Sequence, residues 1–392
     1  MLDREAAHRF MRQTGIDAWL LHDYRGSNPL LWQLLGVERT PTRRAMLIVP
    51  QEGAPVLFLH TVDQFFFRDV PLEKHVYRGW EEMRALLLGH LARVRRLAVD
   101  TSHEGEVPNA SFIDGGTLEW LKGCGFDIVS SADLFQLAVA AWDDDALASH
   151  QRAALLLDAI KEAAFDLVRS AVRGRRTISE YELQGFILSE FERLGLETEG
   201  KPVVQVNAHS GIVSYEPQAE GSAPIGAEDW LLIDLWAREA GPGTVYADIA
   251  WGGYGGAAIP ARLQAVFDLV ARARDTALAA LLAAFARGEP VRGFEIDDIA
   301  RGIITAAGHG ADFHHRTGHS IGPGRRLHAL GVNLDNLETH DTRLILPRTG
   351  FSIEPAVYLP DFGVRLEIDV FIHPTAGPIV TTPVQRAIER LV

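Results

Sequence analysis

Two aspartates sit inside one apolar β-hairpin, and that placement limits the possible folds more than any other feature of the chain. Leu231-Leu232-Ile233-Asp234 and Val245-Tyr246-Ala247-Asp248 flank the turn sequence Gly241-Pro242-Gly243. A turn centred on Gly241 sets Asp234 directly opposite Asp248. Centred on Pro242, it sets Asp234 opposite Ala250, with Asp248 as the diagonal neighbour. Both registers send the two carboxylates to the same side of the sheet. There they repel each other and lose hydration, so a cation or strong donors must compensate them. The plainer reading, in which one aspartate merely ends a strand or caps a turn, is weaker for the pair, flanked as it is by Leu232, Ile233 and Ile249.

Further residues of the same chemistry follow. His314-His315-Arg316-Thr317-Gly318-His319-Ser320-Ile321-Gly322 continues to His328, gathering four histidines into a glycine-rich stretch of which one is expected to bind metal. Near the end, Phe351-Ser352-Ile353-Glu354-Pro355 and Val364-Arg365-Leu366-Glu367-Ile368-Asp369-Val370 each place a glutamate in a strand-like apolar run. Alternation puts Arg365, Glu367 and Asp369 on one face. For Asp369 a solvated face is the natural reading; for Glu354, beside proline, it is less so. Glutamate is seldom fully buried without a partner. Asp234, Asp248, His319, Glu354 and Glu367 together supply about four negative charges, enough for two divalent ions. A carboxylate-dominated set favours Mn²⁺, with Co²⁺, Fe²⁺ or Zn²⁺ as alternatives.

A chain of 392 residues exceeds one ordinary core and divides naturally in two. In the first third, Ala18–Leu21, Ala45–Val49, Val56–Leu59 and Leu97–Val99 read as buried strands between helical patterns at Glu81–Val94 and Ser111–Leu121, a small α/β domain. An acidic run at Asp143–Asp145 then caps a long helical pattern, Ala146–Val172, and marks the boundary between domains 1–145 and 146–392. Thr177-Ile178-Ser179-Glu180 has capping-box spacing for the next helix. Strand Val203–Val206, the hairpin, helices at Pro260–Phe285 and Ile296–Ala307, and strands near Phe351–Glu354, Val364–Val370 and Pro378–Val380 complete an α+β pattern.

The formal charge of −14 works against a nucleic-acid partner, since that affinity depends on clustered Lys and Arg. Cys124, the single cysteine, excludes an internal disulfide and favours a reducing compartment. The start, Met1–Gln13, interrupts its apolar positions with Asp3, Arg4, Glu5 and Arg12, unlike a secretory h-region, and no stretch approaches the roughly 20 apolar residues of a membrane span. A cytoplasmic protein without a membrane partner is expected.

The order Asp, Asp, His, Glu, Glu with these flanks resembles the pita-bread metallopeptidases, the family of prolidase, aminopeptidase P and methionine aminopeptidase, from about Ala146 onward. The first domain is similar to the creatinase-like N-terminal domain of the proline-specific branch. Asp23-Tyr24-Arg25-Gly26-Ser27-Asn28-Pro29 looks like the compact bacterial Xaa-Pro dipeptidases. The resemblance implies a pita-bread catalytic domain, a homodimer, and a small peptide substrate with proline in second position. It implies that Asp234 binds one ion, Asp248 and Glu367 bridge two, and His319 and Glu354 complete the other. Glu354 would also shuttle the proton, His315 and His328 would contact substrate, and Arg365 would pair with the ligand carboxylates.

The chain also departs from the family pattern. The Asp234–Asp248 interval is about three residues longer than usual, which a longer turn absorbs. Gly324-Arg325-Arg326 lengthens the stretch before His328, and Ser214 or His209 stands where relatives carry a substrate-side histidine. The dipeptidase reading rests on Arg325 or Arg326 gripping a terminal carboxylate; the alternative is an Xaa-Pro aminopeptidase acting on longer peptides. Two other readings are a non-peptidase of the same fold, either a creatinase-like hydrolase or a binding module, and a serine hydrolase. The latter would use Gly318-His319-Ser320-Ile321-Gly322 as its nucleophile elbow, but the polar residues before it do not form the buried strand an elbow needs. Gly252-Gly253-Tyr254-Gly255-Gly256 is read as a turn rather than a nucleotide loop.

Overall fold

The computed structural model describes residues 4–37 and 41–392, so Met1 and Asp3 of the charged N-terminal segment lie outside the described residues. Contacts within the chain separate it into two compact units, Met1–Val139 and Ala140–Val392. No helix of the described residues is long and apolar enough to cross a membrane.

The first unit is built on one six-stranded sheet. Its strands are β1 (Ala18–Tyr24), β2 (Arg44–Pro50), β3 (Val56–His60), β4 (Glu73–Tyr77), β5 (Arg96–Val99) and β6 (Asp127–Ser130), in the order β4-β3-β2-β1-β5-β6. Only β2 runs against its neighbours. Apolar residues of both faces fill the strands, as expected where helices cover a largely parallel sheet. Leu20, Met46, Phe58 and Leu97 form one core with Met83 and Leu87 of helix Trp80–His90 and Leu121 of helix Gly115–Gly123.

The second unit opens on helix Asp144–Arg173, where the Asp143 carboxylate accepts from Ala146 N at 2.8 Å. The next helix, Glu180–Arg193, starts two residues later than the sequence spacing suggests. Its capping box is Ser179 with Glu182, not Thr177 with Glu180. Glu180 is thereby released to the interior. There it accepts from Val206 N, Ala223 N, Tyr215 Oη and His209 Nδ1.

Two antiparallel groups of strands carry the site. In one, Trp230–Glu239 lies between Val203–Val206 and Ala247–Tyr254. In the other, Ser320–Ile321, Gly350–Ile353, Ile368–His373 and Gly377–Val380 lie side by side. Helices Ala261–Arg287 and Gly293–Ala306 pack with the second group, and Asp144–Arg173 with the first. The second strand of the hairpin runs Ala247–Tyr254, so Gly252 and Gly253, read from sequence as part of a turn, are strand residues. A Cβ at Gly252 would lie 2.0 Å from the Trp230 ring, so only glycine lets the two strands pair there.

Candidate active site

The hairpin adopts the register centred on Pro242: Asp234 pairs with Ala250 and Trp236 with Asp248. Both aspartates are buried and line one cavity of about 580 Å³, together with His315, His319, His328, Glu354, Arg365 and Glu367. These eight side chains, far apart in sequence, therefore line one cavity. The segment Val364–Val370 is not one continuous strand. It breaks between Gly363–Arg365 and Ile368–His373, and Glu367 sits in the break, where the backbone is free to turn its side chain toward the hairpin.

His319 is held from behind. Its backbone N–H donates to Ser352 Oγ at 2.9 Å, and Ser352 Oγ donates to Glu354 Oε1 at 3.1 Å. Nδ1 lies 3.2 Å from Ser320 O, which makes Nδ1 the protonated nitrogen and leaves the Nε2 lone pair facing outward. That Nε2 stands 3.5 Å from Asp248 Oδ2 and 3.5 Å from Glu354 Oε1. Burial pushes the His319 pKa down, so the ring is neutral, as a metal ligand must be. Gly318 makes this approach possible, because a Cβ there would fall 1.9 Å from Ser352 O. The loop before it is pinned by Asp297, which accepts from Thr317 N at 2.9 Å and Thr317 Oγ1 at 2.6 Å.

The electrostatics call for cations. Burial, then repulsion from Asp248 and Glu354, drives Glu367 well above the usual carboxyl range. Burial, then Asp234 and Glu354, does the same to Asp248. Asp234 is raised less, because the Arg365 guanidinium donates to its Oδ2. Burial alone would raise Glu354 as well, yet His319, His315 and Arg365 together hold it below its ordinary value. Asp234 Oδ1, Asp248 Oδ1 and Glu367 Oε1 are buried with no hydrogen-bond partner. Asp248, His319 and Glu367 each offer a ligand atom, all within 4.8 Å of one another. Unpaired buried oxygens beside a neutral imidazole are what a divalent cation would satisfy, so the donor set fits a metal centre.

Residues 148–374, more than half of the chain and all of the cavity residues named above, match the sequence pattern of Peptidase M24, metallopeptidase family M24. The chain belongs to that family. It is 24% identical over 353 residues to an uncharacterized peptidase of Staphylococcus saprophyticus, covering 86% of this chain and 88% of that one. Among solved structures it resembles dipeptidase PepE of Mycobacterium ulcerans, with a TM-score of 0.65 and 17% identity across 99% of this chain and 96% of that one. It also resembles a prolidase of Thermococcus sibiricus, with a TM-score of 0.57 and 20% identity over 100% of each chain. At these identities the two structures speak for the α+β fold alone.

The other residues singled out from sequence have mixed outcomes at the M24 cavity. Arg326 lines it, and the backbone carbonyl of Arg325 accepts from Tyr246 Oη at 3.1 Å. Val213 lines it as well. Among the described residues neither Ser214 nor His209 does: Ser214 is exposed, and His209 is stacked on Tyr215 and held by Glu180. Ser320 is buried in a strand and its Oγ accepts from Gly331 N at 3.1 Å, which is no place for a nucleophile. Asp369, expected on a solvated face, is wholly buried beneath the hairpin and accepts from Asp248 N at 2.8 Å. Tyr358 was missed altogether. Its hydroxyl accepts from Arg365 Nη1 at 3.1 Å and lies 2.9 Å from His315 Nε2, linking Asp234 through Arg365 to the histidine. Polarity inside the apolar run Ala356-Val357-Tyr358-Leu359 was the only available signal.

Proposed function

We propose that this chain is an Xaa-Pro dipeptidase that cleaves the bond before a C-terminal proline with two divalent ions, Mn²⁺ foremost. The observation that carries the reading is the convergence of Asp234, Asp248, His319, Glu354 and Glu367 on one cavity, with unpaired buried oxygens on three of them. Asp234 is assigned to one ion, Asp248 and Glu367 to both, His319 and Glu354 to the other. When bound, the ions supply Lewis-acid polarisation and a water acidic enough to attack near neutral pH.

The protein's own groups do the rest. Glu354, held below its ordinary pKa, accepts the proton of the attacking water and returns it to the proline nitrogen, which leaves as a secondary amine. Arg316 Nη2 donates to His328 Nδ1 at 3.3 Å, so Nε2 carries the single proton of the neutral ring and donates to the carbonyl oxygen as negative charge builds there. His315 is fixed between Arg316 O and Tyr358 Oη and shapes the substrate side. Arg365 stays charged and positions Asp234. Val203, Val213, Trp236 and Leu327 give an apolar wall against which the proline ring fits.

The dipeptide assignment is supported by Arg326, a cation on the cavity wall for which no ion pair is formed among the described residues. Similar structures are described as a dipeptidase and a prolidase and others as X-Pro aminopeptidases, so the arginine carries the choice of substrate length. A cytoplasmic homodimer without nucleic-acid or membrane partners completes the reading. Comparing kcat/KM for Xaa-Pro dipeptides and Xaa-Pro-Xaa tripeptides in Mn²⁺ tests it. Faster turnover of the dipeptides is expected; a preference for the tripeptides would replace the assignment with an Xaa-Pro aminopeptidase.

A further inference from the structure

The carboxyl ends of β1, β3 and β4 lie along one edge of the first unit's sheet, where the antiparallel β2 begins. Open α/β sheets place ligand crevices at this edge, because loops and helix starts gather there around exposed backbone. A cavity of about 550 Å³ occupies it, and a second of about 320 Å³ shares Arg44, Trp80 and Met83 with the first. The two adjoin along these residues as an outer and an inner part, and the inner part is lined by His22 and Asp114.

The charge of the outer part is opposite to that of the chain. Arg25, Arg43, Arg44 and Arg78 line it together with His60, and no Asp or Glu does, although the chain carries a net charge of −14. Arg43 is 3.8 Å from Asp63. Arg25, Arg44 and Arg78 form no ion pair among the described residues. Guanidiniums brought together from three separate parts of the chain repel one another, and an oxyanion taken by forked hydrogen bonds relieves that repulsion. Acidic groups border this outer part rather than line it: Asp63 lies beside Arg43, Asp114 lines the second cavity together with Arg44, and Glu82, in the first turn of the helix that starts here, accepts from Arg78 N at 2.8 Å.

The inner part has a different chemistry. His22 is 2% exposed, and neither ring nitrogen has a hydrogen-bond partner; Asp114 Oδ2 is 3.8 Å from Nδ1, beyond hydrogen-bond length. A buried imidazole with a free donor and a free acceptor is unusual in a folded chain and marks a place where a ligand completes the pairing. Trp80 lines both parts, its ring steadied by Arg84 at 5.0 Å yet 58% exposed. An indole face left open beside a cavity is a stacking platform for a planar ring.

We propose that this crevice binds a nucleoside phosphate, with the base stacked on Trp80 and its edge paired to His22, and the phosphates on Arg25, Arg44 and Arg78. The assignment is independent of the peptidase reading, since no residue of the M24 cavity takes part. Titration calorimetry on the full chain with ADP, adenosine and pyrophosphate as probes tests it. ADP is expected to bind with Kd on the order of 10 μM, and adenosine and pyrophosphate at least about tenfold more weakly, because each satisfies only half of the site. Arg78→Gln and Trp80→Ala, both at an exposed helix start, should each weaken ADP about tenfold or more with an unchanged unfolding midpoint. Arg25→Gln provides the same reading if either variant unfolds. Absence of ADP binding at about 1 mM, pyrophosphate binding as tight as ADP, or variants that bind like the parent would each overturn the proposal.

Discussion

Asp369 Oδ2 accepts a hydrogen bond from the backbone N–H of Asp248 at 2.8 Å, so a buried carboxylate of one strand group fixes the strand that carries a candidate ligand in the other. Its own backbone N–H donates to Thr382 Oγ1 at 2.7 Å, which ties the backbone at Asp369 in place. Asp369→Asn keeps an acceptor at the same position and should retain metal binding within a few-fold. Asp369→Ala leaves the Asp248 amide unpaired. It should cost about 1–3 kcal/mol of stability and about 10–100-fold in Mn²⁺ affinity. Calorimetric Mn²⁺ titrations of the two variants would separate a positioning role from simple burial, and equal affinities would remove the role.

Glu367 presents the opposite balance. Burial, then its neighbours Asp248, Glu354 and Asp234, disfavour its charged form, so without metal the ionised side chain weakens the fold. Glu367→Gln should therefore raise the unfolding midpoint of metal-free protein. The same change should abolish the stabilisation that Mn²⁺ gives the parent, about 2.7 kcal/mol, or roughly 5–10 °C, at a hundredfold excess over Kd. Thermal unfolding with chelator and with Mn²⁺ measures both effects. A variant that loses stability in chelator would show that the carboxylate is not under repulsion.

Arg326 separates dipeptides from longer substrates if it meets a free carboxylate. Arg326→Ala should raise KM for Xaa-Pro dipeptides about 10–100-fold with little change in kcat, the pattern of an interaction equal in ground and transition states. Tripeptides, whose carboxylate lies one residue further on, should be nearly unaffected. Equal losses on both substrates would leave Arg326 as a general electrostatic contributor only.

Much of the catalytic unit could be read from sequence because its local signals are strong. The Gly241-Pro242-Gly243 turn fixed the hairpin to two registers, and both placed Asp234 and Asp248 on one face. Glu354 and His319 stood out as polar groups within apolar or glycine-rich surroundings. Asp369 was misread because alternation tells which face a side chain takes, while what covers that face is decided by a strand group more than a hundred residues away. The capping box slipped by two residues because Thr177/Glu180 and Ser179/Glu182 have identical spacing, and the interior claimed Glu180 for His209, Tyr215 and two backbone amides. Strands β4 and β6, whose sequences Glu-Lys-His-Val-Tyr and Asp-Ile-Val-Ser lie at the sheet edges, carry too little apolar pattern to be seen alone. The arginine crevice arises from Arg25, Arg43 and Arg78, which only the sheet order brings together.

His22 and His150 make the fold acid-sensitive in a way that can be separated from the carboxylate cage. Burial is the main cause that lowers each to about 4, from 6.5 when unfolded. A depressed histidine pKa means that the unfolded chain binds protons first as pH falls. The stability these rings contribute is therefore complete above about pH 6.5 and is lost as pH drops toward 4, about 2 kcal/mol for each ring by pH 5. Asp248, Glu367 and Asp369, raised by burial and mutual repulsion, act in the opposite sense: protonating them favours the folded state. A single titration of the parent mixes the two trends, whereas the difference between parent and His22→Leu isolates one ring. Denaturant unfolding at pH 7.5 and 5.0 should show the parent losing about 2 kcal/mol more than the variant over that interval. Equal losses in both proteins would mean that His22 reaches solvent or a partner when protonated, contrary to its enclosed position in the first unit.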